Sequence, residues 1–75
     1  MNITDVMIHI NESLNREARS SLENAMRKVE GVVSSGFNTD KEHLLLIAYS
    51  PEKTNAAVLL EKTLAAGYAA QLVGM

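Results

Sequence analysis

Between Ile10 and Asn15 the apolar pattern of this chain changes its period, and that change constrains the fold more than any other feature. From Ile3 to Ile10 the residues alternate, with Val6, Ile8 and Ile10 on one face and Met7 and His9 on the other. A period of two describes a strand half-buried against something. From about Asn15, Ala18, Leu22, Ala25, Met26 and Val29 fall at i, i+4, i+7, i+8 and i+11, a single apolar stripe on a helix. Gly31 stands where a left-handed cap ends such a helix. The polar junction supplies the helix start: Ser13 or Asn15 can cap it, and Glu17 suits its positive end.

The second half repeats the order. VVSSGFN (Val32 to Asn38) reads as a strand weakened by Ser34, Ser35 and Gly36, and NTDKE as a turn. HLLLIAYS (His43 to Ser50) is the third strand, stopped at Ser50 and Pro51. Thr54 or Asn55 can cap a second helix running to about Ala66, with Leu59, Leu60, Thr63 and Leu64 towards the core and Gly67 ending it. YAAQLV (Tyr68 to Val73) is a short last strand. The expected fold is α+β: a ferredoxin-like βαββαβ sandwich with two helices on one face of a four-stranded antiparallel sheet. In that topology strands one and three are central neighbours.

Residues 1–75 make a single domain, and a chain this short buries only about 60% of its unfolded surface. It has no cysteine, so no disulfide supplements the thin core and no thiolate can hold a metal. A net charge of −2 and pI near 5.6 give no electrostatic reason to bind nucleic acid. The longest apolar run, Leu44 to Tyr49, is too short to span a bilayer, and the first ten residues lack the pattern of a secretory signal. The expected compartment is therefore the cytoplasm.

VEGV (Val29 to Val32), AYSPEK (Ala48 to Lys53) and LAAGYAA (Leu64 to Ala70), in this order and at this spacing, resemble the heavy-metal-associated domain family. That family includes copper chaperones and the amino-terminal domains of copper-transporting ATPases, and the resemblance covers nearly all 75 residues. Its metal motif, G-M-T-C-x-x-C, lies in the loop entering the first helix. Counted back from Gly31, the glycine falls on Glu12, the methionine on Ser13, the threonine on Leu14, and the cysteines on Asn15 and Ala18. Two soft thiolates suit a soft monovalent ion; an amide is a weak, hard ligand and alanine offers none. The family's copper(I) chemistry is therefore not expected.

Other donors are sparse. His9 and His43 should lie near one end of the sheet, but alternation with Leu45, Ile47 and Tyr49 puts His43 on the core face and His9 on the open one. Met26 belongs to the helix stripe, and Met1 and Met75 are a remote soft-metal alternative at one end of the sheet. Arg19, Glu23 and Arg27, spaced four apart, can form a charge ladder on the solvated helix face. No nucleophile, acid pair or phosphate loop is evident, so no enzyme and no cofactor are expected.

One stretch is anomalous. If Leu45, Ile47 and Tyr49 face the helices, Leu44, Leu46 and Ala48 face the other way, beside Met7 and His9, on a surface that should be polar. Contiguous apolar patches mark interaction sites. RNA-binding sheets of similar topology need stacking aromatics, and Phe37, Tyr49 and Tyr68 do not belong to that face. The expected function is that of a degenerate heavy-metal-associated-like domain without cysteine ligands. It acts as a non-catalytic protein-interaction or regulatory module, through Met7, His9, Leu44, Leu46 and Ala48. The expected partner is a second copy or another protein, and the resemblance implies a link to a metal transporter without insertion into the membrane. The alternative is a protein that binds copper or another transition metal through His9, Asn15 and His43.

Overall fold

The computed structural model describes residues 2–73. The elements follow in the expected order: β1 (Thr4–Ile10), α1 (Arg16–Arg27), β2 (Val32–Phe37), β3 (Leu44–Tyr49), α2 (Ala56–Ala65) and β4 (Ala70–Val73). The strands form one sheet in the order β2-β3-β1-β4 with every pairing antiparallel, so β1 and β3 are indeed the central neighbours. This is the ferredoxin-like βαββαβ sandwich. The suggested proximity of Met1 and Met75 lies outside the described residues. No helix among the described residues is long and apolar enough to cross a membrane.

Pairing of Val6 with Ile47 and Ile8 with Leu45 sets the alternation of β1 and β3 in phase. Their common face, with Ile10 and Tyr49, packs against Leu22 and Met26 of α1 and Leu59 of α2 to make the core. Both helices therefore lie on one side of the sheet. The helical stripes are narrower than the sequence suggests. Ala25 is exposed, and Leu64 is 46% exposed. At about 100° per residue, Leu64 sits roughly 140° round the helix from Leu59, whereas Thr63 sits nearly above it. Thr63 is buried, and its hydroxyl is satisfied by the Leu59 carbonyl at 3.1 Å.

The caps are resolved to one choice each. Asn15 Oδ1 accepts from the Ala18 amide at 2.7 Å and Asn55 Oδ1 from the Val58 amide at 2.9 Å, so Ser13 and Thr54 are not the capping residues. The Arg19–Glu23–Arg27 ladder does not form. Glu23 Oε2 accepts from the Phe37 amide at 2.8 Å, and Arg27 donates to the Ser35 carbonyl at 2.9 Å. The Asn38 amide bonds Leu44 of β3, so by alternation Phe37 and Ser35 turn their backbone groups to the outer edge. Two side chains of α1 thus occupy the free edge of β2, where an unpaired strand invites association. An acceptor on a partly buried amide outweighs a solvated ion pair.

Candidate interaction face and histidine pair

The face of the sheet away from the helices can be read in rows across the strands. Val73, Met7, Leu46 and Gly36 make one row, and Gln71, His9 and Leu44 the next. Asp5 and Ala48, paired with Ser34, make a third. Met7 is 36% and Leu46 47% exposed, while Leu44 and Ala48 are half-buried beside them. The apolar surface is real, and it is wider than the sequence indicated. Val73 extends it onto β4, a position that becomes visible only once the Met7–Val73 register is known. Asp5 is the one carboxylate in these rows, and none of them holds a lysine or arginine. Phe37 and Tyr68 pack against the core cluster and Tyr49 is part of it, so the face has no aromatic platform.

The assignment of His9 and His43 to opposite faces is corrected. Their rings stack, with centroids 5.5 Å apart and planes inclined by 18°. His43 precedes β3 and lies in a turn, where the alternation of an extended strand no longer dictates side-chain direction. Its Nδ1 lies 2.7 Å from the Ile10 carbonyl, while the Ile10 amide donates to the His43 carbonyl at 2.9 Å. The ring thus takes the place of a ladder hydrogen bond at the end of the central strand pair. His9 Nδ1 contacts Asn11 Oδ1 at 3.2 Å and lies 3.5 Å from Gln71 Nε2. The two rings border a depression of ≈ 460 Å³ also lined by Thr39, Asp40, Lys41, Glu42 and Leu44. A larger one, ≈ 550 Å³, lies around Gly31, Val33, Ser50, Glu52 and Lys53 and is lined by no imidazole.

Asn15, the third candidate ligand, does not join them, since its amide oxygen is engaged with the Ala18 amide as the helix cap. Among the described residues no three His, Asp or Glu side chains converge as a metal-binding group.

No family model matches the sequence, and no curated protein matches it. Solved structures do match. Oxidized MerP from Ralstonia metallidurans CH34 superposes with a TM-score of 0.85 at 19% identity, over 97% of this chain and 100% of that one. The amino-terminal domain of a potential copper-translocating P-type ATPase from Bacillus subtilis, in its Cu(I)-loaded state, gives 0.85 at 22% identity over 97% and 90%. The copper chaperone of Enterococcus hirae gives 0.80 at 15% identity over 91% and 98%. The chain has the heavy-metal-associated fold.

Within that fold, the loop that resembles the family's metal loop does not fit a soft metal ion. It holds no thiol, its amide at Asn15 is committed to the helix, and Ala18 offers only the backbone amide that Asn15 caps. The loop is instead fastened to the α2–β4 connection. The Asn11 amide donates to the Ala69 carbonyl at 2.8 Å, and the Ala69 amide is shared by both Glu12 carboxylate oxygens at 3.0 Å. Glu12 and Glu23 are both acceptors for backbone amides of distant segments. Polar side chains cap the helix and fasten this loop to the rest of the fold.

Proposed function

We propose that this domain is a non-catalytic interaction module that works through the open face of its sheet, alongside a metal transporter. The observation that carries the reading is the uninterrupted apolar row Val73–Met7–Leu46, flanked by Leu44 and Ala48, on a face that the fold leaves bare. A surface depleted of charge at its centre is what the core of a protein interface looks like. The metal link is supported by the solved structures of the same fold, among them a copper chaperone and a domain of a potential copper-translocating ATPase.

The test uses metal-free, untagged protein and follows amide resonances on dilution from near-millimolar concentration. Shifts concentrated at Met7, Leu44, Leu46, Ala48 and Val73 are expected, and they should vanish in Leu46→Glu. Leu64→Glu makes the same change at an equally exposed position of α2 and should leave them intact. Shifts confined to the helices, or none at all, refute the reading. If Leu46→Glu unfolds the domain, the face is internal and the reading is equally refuted.

A further inference from the structure

We infer that His9 and His43 form half of a transition-metal site, which a second copy of this chain completes when two open sheet faces meet. The inference rests on the reading of the open face as an interface and names its occupant. Three observations carry it.

The first is the protonation pattern. A carbonyl only accepts, so the 2.7 Å contact to the Ile10 carbonyl fixes the proton of His43 on Nδ1. His9 Nδ1 stands between an acceptor, Asn11 Oδ1 at 3.2 Å, and a donor, Gln71 Nε2 at 3.5 Å, so its ring is held loosely and either tautomer is served. In the neutral ring of His43, Nε2 then carries a free lone pair, with His9 stacked beside it. Metal-binding imidazoles are oriented in this way, with Nδ1–H held by an oxygen and Nε2 left for the metal.

The second is number. Two imidazoles are too few for a closed site, and no third ligand converges on them among the described residues. A tetrahedral zinc site takes four donors at about 2.0–2.1 Å. Two copies supply four nitrogens. The near-parallel rings must converge on one ion, and His9 can turn, since its fastening at 3.2 Å to an exposed amide is the weaker one.

The third is placement and area. The pair sits at the end of β1 and β3, the central strands, in the row beside Met7 and Leu46. A two-fold axis running parallel to these strands brings the apolar rows together and the two histidine pairs to the same end, in an aligned sandwich. The four strands, about 4.8 Å apart and rising roughly 3.3 Å per residue, offer a footprint on the order of 400 Å². A stable interface buries about 800 Å² on each side. The face alone is therefore too small for a tight dimer, and a metal clamp at its end supplies what the area lacks.

Sedimentation equilibrium of the untagged chain, with and without zinc(II), tests this. At tens of micromolar the metal-free protein should stay near its 8.2 kDa monomer mass. Half an equivalent of zinc should shift it to twice that mass, with dimer affinity raised at least about tenfold, and a chelator should reverse the change. His43→Ala should abolish the zinc-dependent step while leaving the weak metal-free association at Leu46, and His9→Ala should abolish the zinc-dependent step as well. Zinc binding at one ion per chain without a change of mass overturns the proposal, as does a zinc dimer that survives His43→Ala. A zinc dimer equally strong in Leu46→Glu overturns both this inference and the reading of the face. Failure of the unsubstituted chain to dimerise with zinc, alongside intact dilution shifts, overturns this inference alone.

Discussion

Gly31 and Gly67 share a backbone conformation, with φ of 98° and 100°, in completely different surroundings. Gly67 directly follows the cap of α2, whereas Gly31 does not cap α1, which ends at Arg27 with Lys28 as its cap, but stands in the turn before β2. A Cβ at Gly67 meets nothing within 4 Å, whereas at Gly31 it falls 2.8 Å from Lys53 Cβ, 3.2 Å from Thr54 Cγ2 and 3.4 Å from the Thr54 amide nitrogen. Alanine in the left-handed region costs about 1–2 kcal/mol, partly offset by the entropy that glycine leaves in the unfolded chain. Gly67→Ala should therefore cost about 1 kcal/mol. Gly31→Ala adds a collision with an atom fixed to the backbone, so the 52–54 turn must move. Overpacking of this kind costs about 1–3 kcal/mol. The movement also strains the 2.7 Å bond from the Ser50 amide to the Gly31 carbonyl, which ties the turn before β2 to the end of β3. The expected total for Gly31→Ala is about 2–4 kcal/mol, a large share of the roughly 4–11 kcal/mol available to 75 residues. Urea unfolding followed by far-ultraviolet circular dichroism measures both variants. In thermal melts each kcal/mol should appear as a drop of about 4–8 °C. The double variant Gly31→Ala/Lys53→Gly removes the nearest colliding atom and should show favourable coupling between the two positions. Equal costs for Gly31→Ala and Gly67→Ala, or no coupling with Lys53, would refute the steric part of the reasoning.

Further outcomes follow from single contacts. Thr54 is buried and its hydroxyl has no hydrogen-bond partner among the described residues; Thr54→Val should stabilise the domain by about 1 kcal/mol in the same urea titration, and a loss of stability would mean that the hydroxyl is satisfied after all. Glu23→Ala uncovers the Phe37 amide at the edge of β2 and should cost about 1–2 kcal/mol, with faster amide exchange at Phe37 as the local signature. Asn15→Ala removes the cap of α1 and should cost about 1 kcal/mol, whereas Ser13→Ala should be nearly neutral.

The fold was legible because its determinants are local and periodic. Alternation in β1 and β3, the 3.6-residue stripe of α1 and Gly67 after α2 each fix one element, and short loops leave few ways to pack six of them. The open-face residues Met7, Leu44, Leu46 and Ala48 were legible for the same reason: once a strand has a core side, its other side is fixed by the period of two.

What periodicity could not give are contacts between distant segments. Val73 beside Met7 and Gln71 beside His9 follow from the β1–β4 register, and register depends on the whole sheet. The placement of His43 was misread because alternation was carried one residue beyond the strand, into a turn where the ring replaces a backbone hydrogen bond. Glu23 and Arg27 were paired along their own helix because spacing shows neighbours on one cylinder, while the stronger demand came from the unsatisfied edge of β2. The sequence by itself determined the elements, their order, the core face and the absence of thiol ligands, all set by local pattern or by composition. The tertiary structure alone decided that two histidines thirty-four positions apart stack at the end of the central strands, because only folding brings the start of β3 against the end of β1.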